Sequence, residues 1–239
     1  MKCLSILIMM ILVFGSCNII DRERIRGNGN VTTRSFDLKD FSSVDIEDNM
    51  EVIVRQDPAV SVKVTTDENL QQYINVNIEN GNLVIKYRND INLNPTNNVK
   101  VYISVPSLDK IEVGSASDLR TDGKFSQDKK LSIDLSEASS GNLSVRAPVV
   151  EMKASEASTL TVEGESRDIK AQASEASTIN AYNLKAENGE AHASEVSTIH
   201  VFSSVSLKID ASEASTVKYK GSPNVTSDVQ EASSVGKAD

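Results

Sequence analysis

The pattern of apolar and polar residues repeats about every 19 positions in the second half of the chain. Each repeat centres on a Ser-Glu-Ala-Ser motif or a close variant, and successive Glu positions are 19, 19, 20, 18 and 18 residues apart. A degenerate copy at 114–117 has Ser115 in the place of Glu. Such a regular period indicates one structural coil per repeat. The glutamates of the motif are Glu137, Glu156, Glu175, Glu195, Glu213 and Glu231.

Within each repeat, apolar and polar residues alternate on both sides of the motif. Counted from the Glu, apolar residues favour the positions four and two before it and four and six after it, with Gly141 as an exception. A period of two is typical of strands, and the small residues of the motif suit a tight bend between two strands. A propeller blade needs about 40 residues, and no helical segment of a leucine-rich repeat is present. We therefore predict an all-β chain, a β-helix (β-solenoid) with about seven regular coils of ~19 residues over 111–239.

Residues 32–110 also alternate, but they lack the repeat. Asn80-Gly81 lies between two alternating runs, and this dipeptide supplies the positive φ angles of a type I′ hairpin turn. We predict longer, irregular β coils here, which cover the apolar end that a bare stack of repeats would expose.

The start of the chain indicates a targeting signal. Lys2 precedes an apolar run at 4–14, which is shorter than the roughly 20 residues of a membrane-spanning helix. The small residues and Cys17 that follow resemble a bacterial lipobox. We predict a lipoprotein signal peptide at 1–16 and a lipidated Cys17 with a polar tether at 17–31, which would anchor the protein to a membrane. An ordinary signal peptide with a chance Cys is the alternative.

Composition and charge exclude several functions. The chain has 25 Lys and Arg against 34 Asp and Glu, so its formal charge of −9 argues against nucleic-acid binding. Two His and two Cys leave little material for a zinc site or a histidine-based triad. Because Cys3 leaves with the signal peptide and Cys17 is acylated, we expect no disulfide in the mature chain. No cofactor is predicted beyond the calcium considered next.

The six motif glutamates would form a column along the coils, with carboxylates about 4.8 Å apart. Such neighbours repel by roughly 1 kcal/mol in water, unless the side chains fan outward or a cation bridges them. Calcium accepts carboxylate oxygens flexibly, so a bridged calcium ladder is chemically reasonable. The interpretation that we favour is a solvated column that blunts aggregation, with the motif serines in structural hydrogen-bond ladders.

Few other side chains suggest a site. Tyr182 and Phe202 both lie seven residues after a motif Glu, so they could stack on adjacent coils and offer a platform for a glycan. Ordinary packing is the more frequent role of such aromatic pairs in sheets. We interpret His192 and His200 as surface or packing residues, because no third metal ligand is evident.

Three stretches carry a resemblance to a known family. Residues 34–46, 79–85 and 101–117 resemble the auto-transporter adhesin head GIN domain family, a bacterial domain of unknown function, and the likeness extends over about 32–236. The resemblance implies a right-handed β-helix-like fold and secretion or lipidation, and no catalytic residues are carried over. Family members more often have Gly where this chain has the motif Glu, so Glu must tolerate an unusual backbone angle here.

Two classes of function remain open. The first is an adhesin-like interaction module of the cell envelope that binds glycan or protein, held by its lipid at the outer membrane of a Gram-negative bacterium, on the surface or the periplasmic side. The second is a polysaccharide lyase or hydrolase on a β-helix. We favour the first, because an active site should break the uniform repeat. We also expect that copies could associate through the edge of the last coil near Val235.

Overall fold

The structure is a computed structural model, and it describes residues 23–239. The predicted signal peptide, Cys17 and the first part of the tether lie outside the described residues. Of the described residues, 64% are in strands and 3% in helix, which confirms the all-β prediction. Within the same range there is no helix with the length and hydrophobicity needed to cross a bilayer.

Strands β1 to β9 make up the irregular part of the fold. They are β1 (Glu23–Arg26), β2 (Val31–Phe36), β3 (Ser43–Ile46), β4 (Met50–Gln56), β5 (Ser61–Asp67), β6 (Ile74–Glu79), β7 (Asn82–Tyr87), β8 (Ile91–Asn94) and β9 (Val99–Val105), with a 3₁₀ helix at Glu68–Tyr73.

Strands β10 to β22 make up the regular part. They are β10 (Lys110–Val113), β11 (Asp118–Asp122), β12 (Phe125–Ser126), β13 (Leu131–Leu135), β14 (Ser140–Ala154), β15 (Thr159–Ala173), β16 (Thr178–Lys185), β17 (Asn188–Ala193), β18 (Thr198–Ser203), β19 (Ser206–Ala211), β20 (Thr216–Gly221), β21 (Asn224–Val229) and β22 (Ser234–Lys237).

The coils stack into two faces of parallel strands. Face A runs through β7, β3, β10, β13, the second halves of β14 and β15, β17, β19 and β21. Face B runs through β9, β4, β11, the first halves of β14 and β15, β16, β18, β20 and β22. The repeated motif joins face A to face B in every regular coil. This arrangement is the predicted β-solenoid, with about six turns.

The N-terminal end of the solenoid is closed by antiparallel strands. β6 pairs with β7 through the predicted Asn80-Gly81 hairpin, and β5 pairs with β9 while β2 extends the sheet beyond β5. The coil of β3 and β4 lies between the coil of β7 and β9 and the coil of β10 and β11. The chain therefore folds back over its first coil before the regular repeats begin.

The predicted tether at 17–31 is too long. β1 pairs with β8, the Gly27 N–H donates to the Asn94 carbonyl (3.0 Å), and the Gly29 N–H donates to Asp67 (2.7 Å). This segment is polar and contains glycines, so its sequence is typical of a linker. Its polar groups instead find partners more than 35 positions away along the chain, which a local pattern does not reveal.

The core fills the space between the two faces. Leu135 and Leu160 are completely buried, as are the equivalent inward residues of neighbouring coils. A Cβ on Gly141 would lie 2.8 Å from Cδ1 of Leu135 and 3.1 Å from Cδ1 of Leu160. Gly141 is the exception in the apolar pattern because Leu135 stands where four later coils have Ala and fills the space that a larger residue at 141 would need.

At the other end, β21 and β22 each have a single neighbouring strand within the described residues. Val225 and Val229 of β21 are 37% and 44% exposed. The association of copies through this edge stays a prediction.

Candidate functional site

The motif forms the same corner in every regular coil. In the coil of Glu137, both Glu137 (φ 53°) and Ala138 (φ 61°) are left-handed, and the Ser139 N–H donates to the Ser136 carbonyl over 3.2 Å. Positive φ at both central residues of such a turn is typical of type I′. The motif Glu therefore has the unusual backbone angle that we expect at a position where family members more often have Gly. Seven corners have it, at Ser115 and at the six glutamates.

The sequence pattern missed one further corner. Asp48 (φ 71°) and Asn49 (φ 56°) repeat the geometry between β3 and β4, and the Asn49 N–H donates to the Ser115 carbonyl over 2.7 Å. Asp and Asn tolerate the left-handed region better than other residues with a side chain. That preference could have indicated a turn at Asp48-Asn49 from the sequence, although no repeat spacing pointed to this position.

Backbone hydrogen bonds connect each corner to the next. The N–H of the residue after each Glu donates to the carbonyl of the next motif Glu, as from Ala138 to Glu156 and from Ala157 to Glu175, both at 2.8 Å. The last serine of the motif is buried in every corner except the terminal one, and in several coils its hydroxyl bonds to backbone: Ser177 Oγ accepts from the Ser158 N–H at 3.1 Å, and Ser197 Oγ donates to the Ala173 carbonyl at 2.8 Å. The buried Ser139 hydroxyl has no partner among the described residues. The serine column therefore bonds to neighbouring coils through main-chain groups.

The glutamate side chains of the six corners point into solvent, and all six residues are exposed. Glu137 accepts a hydrogen bond from the Ser115 hydroxyl at 2.8 Å. Over residues 23–239, no group of three or more His, Cys, Asp or Glu side chains is placed to hold a metal ion. Calcium bridging along the column stays the alternative to the solvated column that we favour.

An acidic cluster lies beside the corners on the outside of face A. Asp45, Glu112 and Asp134 are direct neighbours on adjacent strands, and Glu47 and Glu137 lie next to them. Burial and then the charge of Glu112 raise the pKa of Asp45 above its usual 3.8. Burial and then the charge of Asp45 raise the pKa of Glu47. Like charges are thus held together at this end of the face.

Farther along face A, opposite charges alternate. His192 Nε2 lies 2.9 Å from Glu190 and His192 Nδ1 lies 2.9 Å from Asp210, while Lys208 lies 3.7 Å and 3.6 Å from the same two carboxylates. His192 and Lys208 therefore share the same two carboxylates on the outside of face A.

Tyr182 and Phe202 do not stack on each other as the sequence suggests. A register shift between β15 and β16 follows Thr161, and the Tyr182 ring stacks on His200 with centroids 4.8 Å apart and an angle of 11°. The Lys185 ammonium lies 4.0 Å from the centre of the Phe202 ring. The extra residue in this 20-residue coil displaces Tyr182 from the predicted register. One face of each ring is therefore already in contact with protein.

Comparisons with known proteins identify the fold and the family. A putative adhesin from Bacteroides fragilis has a TM-score of 0.81 at 18% identity over 89% of this chain and 98% of its own. A putative lipid binding protein from Parabacteroides distasonis has 0.76 at 20% identity over 91% and 100%, and a putative adhesin from Parabacteroides merdae has 0.74 at 15% over 91% and 100%. No curated protein matches the chain.

These structural likenesses fall below 25% identity and establish the shared fold only. The family comparison covers most of the sequence, with a match over residues 40–223. The match includes most of both faces of the solenoid, every corner except the last one at Glu231, and most of the antiparallel closure. The chain therefore belongs to the family described as "putative auto-transporter adhesin, head GIN domain".

Proposed function

We propose that this protein is a non-catalytic, adhesin-like lipoprotein of the cell envelope that binds a glycan along the outer faces of its solenoid. The observation that carries the proposal is the repetition of exposed polar side chains at equal positions of successive coils. Such columns form long surfaces on a rigid frame, which suit an extended ligand. The family assignment supports a location in the envelope or at the cell surface.

The position of the first strand determines how far the fold would lie from a lipid on Cys17. With Cys17 acylated, only residues 18–22 separate the lipid from β1, and five extended residues span at most about 17 Å. The antiparallel end of the solenoid would therefore lie near the membrane, and the regular coils would project away from it. Cys17→Ser should move the protein from the membrane fraction to the soluble fraction, and mass spectrometry should show the loss of the acyl chains.

Glycan binding is tested with the full chain purified in detergent. The protein is screened on a glycan array with and without calcium, and acidic polysaccharides incubated with it are assayed for new reducing ends or unsaturated products. Retention of a defined glycan without cleavage is the expected result. Cleavage products would replace the proposal with a lyase or hydrolase, and a lack of retention on every glycan would contradict it.

A further inference from the structure

An outward-facing row of side chains crosses the junction between the antiparallel closure and face B. Strand register places Ser35 of β2, Lys63 of β5, Tyr102 of β9, Ile53 of β4 and Arg120 of β11 side by side. A cavity on this surface is lined by residues of these strands, including Tyr102 and Lys63. We call this surface the Tyr102 patch.

The centre of the Tyr102 patch is an exposed aromatic ring on an apolar floor. Tyr102 is 38% exposed, whereas its neighbour Ile53 is only 4% exposed although it stands at an outward position. Among residues 23–239, no other ring stacks on Tyr102 and no Lys or Arg lies over it. Tyr182 and Phe202 differ, because His200 and Lys185 already contact them.

Cations and hydroxyls surround the ring. Lys63 and Arg55 are exposed. In the part of the chain that the structure describes, neither side chain has a carboxylate within 4.0 Å. Asp122 lies beside Arg55 on the neighbouring strand but does not form an ion pair with it. Lys100 and Arg120 are instead paired with Glu51 at 3.0 Å and 3.5 Å. The lining also includes hydroxyls, which are those of Thr33, Ser61, Thr65 and Ser104.

We propose that the Tyr102 patch is a binding site for an acidic saccharide, a sugar chain that carries carboxylate or sulfate. The exposed tyrosine offers an apolar face with a polar edge, the two cations complement a negative charge, and the hydroxyls can bond to sugar hydroxyls. Free positive charge here contrasts with the net charge of −9 of the whole chain. This inference rests on the proposed glycan binding and assigns it to one place and one class of sugar.

The test is calorimetric titration of the full chain in detergent with tetragalacturonate. Its fully methyl-esterified form is the neutral matched ligand, and a heparin tetrasaccharide adds sulfate groups to the carboxylates. We expect Tyr102→Ala and Lys63→Gln each to weaken binding about tenfold. The matched controls Tyr182→Ala and Lys218→Gln, which alter the same residue types on the regular coils, should weaken binding far less than the two patch variants do. Added salt should also weaken binding, because the cations are exposed.

The outcomes separate the two proposals. If tetragalacturonate or heparin binds and only the control variants lose affinity, glycan binding stands and the Tyr102 patch is wrong. Equal affinity for the acid and its ester would also overturn the patch, because its charges would have no role. If no saccharide binds the wild type, both proposals fail. Circular dichroism checks each fold, and Lys63→Gln and Arg55→Gln change only exposed side chains, so they decide the question if Tyr102→Ala does not fold.

Discussion

The two ends of this solenoid are stabilised in different ways. In the regular coils, the corners are linked by main-chain hydrogen bonds that recur with every repeat. In the antiparallel closure, single side chains connect distant segments, and buried Asp67 is the clearest case. Asp67 accepts from the Gly29 N–H (2.7 Å), the Thr96 N–H (2.9 Å) and the Thr96 hydroxyl (2.8 Å). We therefore expect the regular part to tolerate changes in exposed residues, and the closure to depend on a few positions.

The regular coils and the closure also differ in the side chains that they expose. The repeats present uniform columns, whereas Tyr102, which is 38% exposed, is the one exposed tyrosine of the described residues, and it lies at the border of the closure. Irregular segments on a rigid frame are where binding residues commonly lie. The regular coils therefore supply the frame, and the closure supplies the less repetitive chemistry.

The largest expected effect tests the dependence on Asp67. Asp67→Ala should lower the free energy of unfolding by about 3 kcal/mol, because it removes the buried charged acceptor of three hydrogen bonds that join the segments of Gly29 and Thr96. Glu175→Ala removes an exposed carboxylate from the regular coils and should change stability by less than about 0.5 kcal/mol. Urea unfolding measures both. Equal losses in the two variants would contradict the contrast between closure and repeats.

The same position predicts a dependence on pH. Burial by itself raises the pKa of Asp67, but hydrogen bonds from Thr96 and Gly29 outweigh it and hold the pKa below 3.8. A depressed pKa means that the stabilisation is present above pH 3.8 and is lost as the pH falls through the lower folded value. The difference in stability between wild type and Asp67→Ala should therefore shrink in strong acid, as acid titrations of both proteins would show.

The next effect concerns packing within the repeats. Leu135→Ala should cost about 3 kcal/mol through a cavity, and Gly141→Val about 2 kcal/mol through overpacking against Leu135. The double variant should lose less than the sum, because Ala at 135 makes room for the new side chain. Thermal or urea unfolding of the four proteins gives the coupling energy. Strict additivity would show that the two positions do not share space.

A smaller effect of opposite sign is expected at a corner. Val196 is β-branched, 67% exposed and at φ 63°, a backbone region that is strained for such a side chain. Val196→Gly should raise stability by about 1 kcal/mol. Ala176→Gly, at the equivalent corner, is the matched control and should gain less. A loss of stability in Val196→Gly would indicate that the valine makes contacts that outweigh its strain.

The smallest effect concerns the glutamate column. Because the six side chains are exposed, we expect millimolar calcium to leave the melting temperature unchanged. Glu175→Gln combined with Glu195→Gln should behave in the same way, with a change below about 0.5 kcal/mol. A calcium-dependent rise in melting temperature that disappears in this double variant would promote the column to a cation site.

The accuracy of prediction from sequence follows the same division of the molecule. The spacing of the motif glutamates predicts the coils, because stacked strands repeat the same environment and so select the same residue types. The corner at Asp48-Asn49 contains no copy of the motif, so the repeat spacing does not predict it. The structure identifies it by the hydrogen bond from the Asn49 N–H to the Ser115 carbonyl. The stacking of Tyr182 on His200 depends on one inserted residue in one coil, which shifts the register locally.

The sequence by itself determined the β-solenoid, the position of the seven corners of its regular coils and the outward direction of the alternate columns, since all three follow from local periodicity. The tertiary structure decided what depends on distant residues. Asp67 binds the segment around Gly29, which the sequence predicts to be a tether. The size of Leu135 accounts for Gly141. Lys63, Tyr102 and Arg55 come together on one surface. Antiparallel closure joins segments that are far apart along the chain, and no repeat marks which of them will meet.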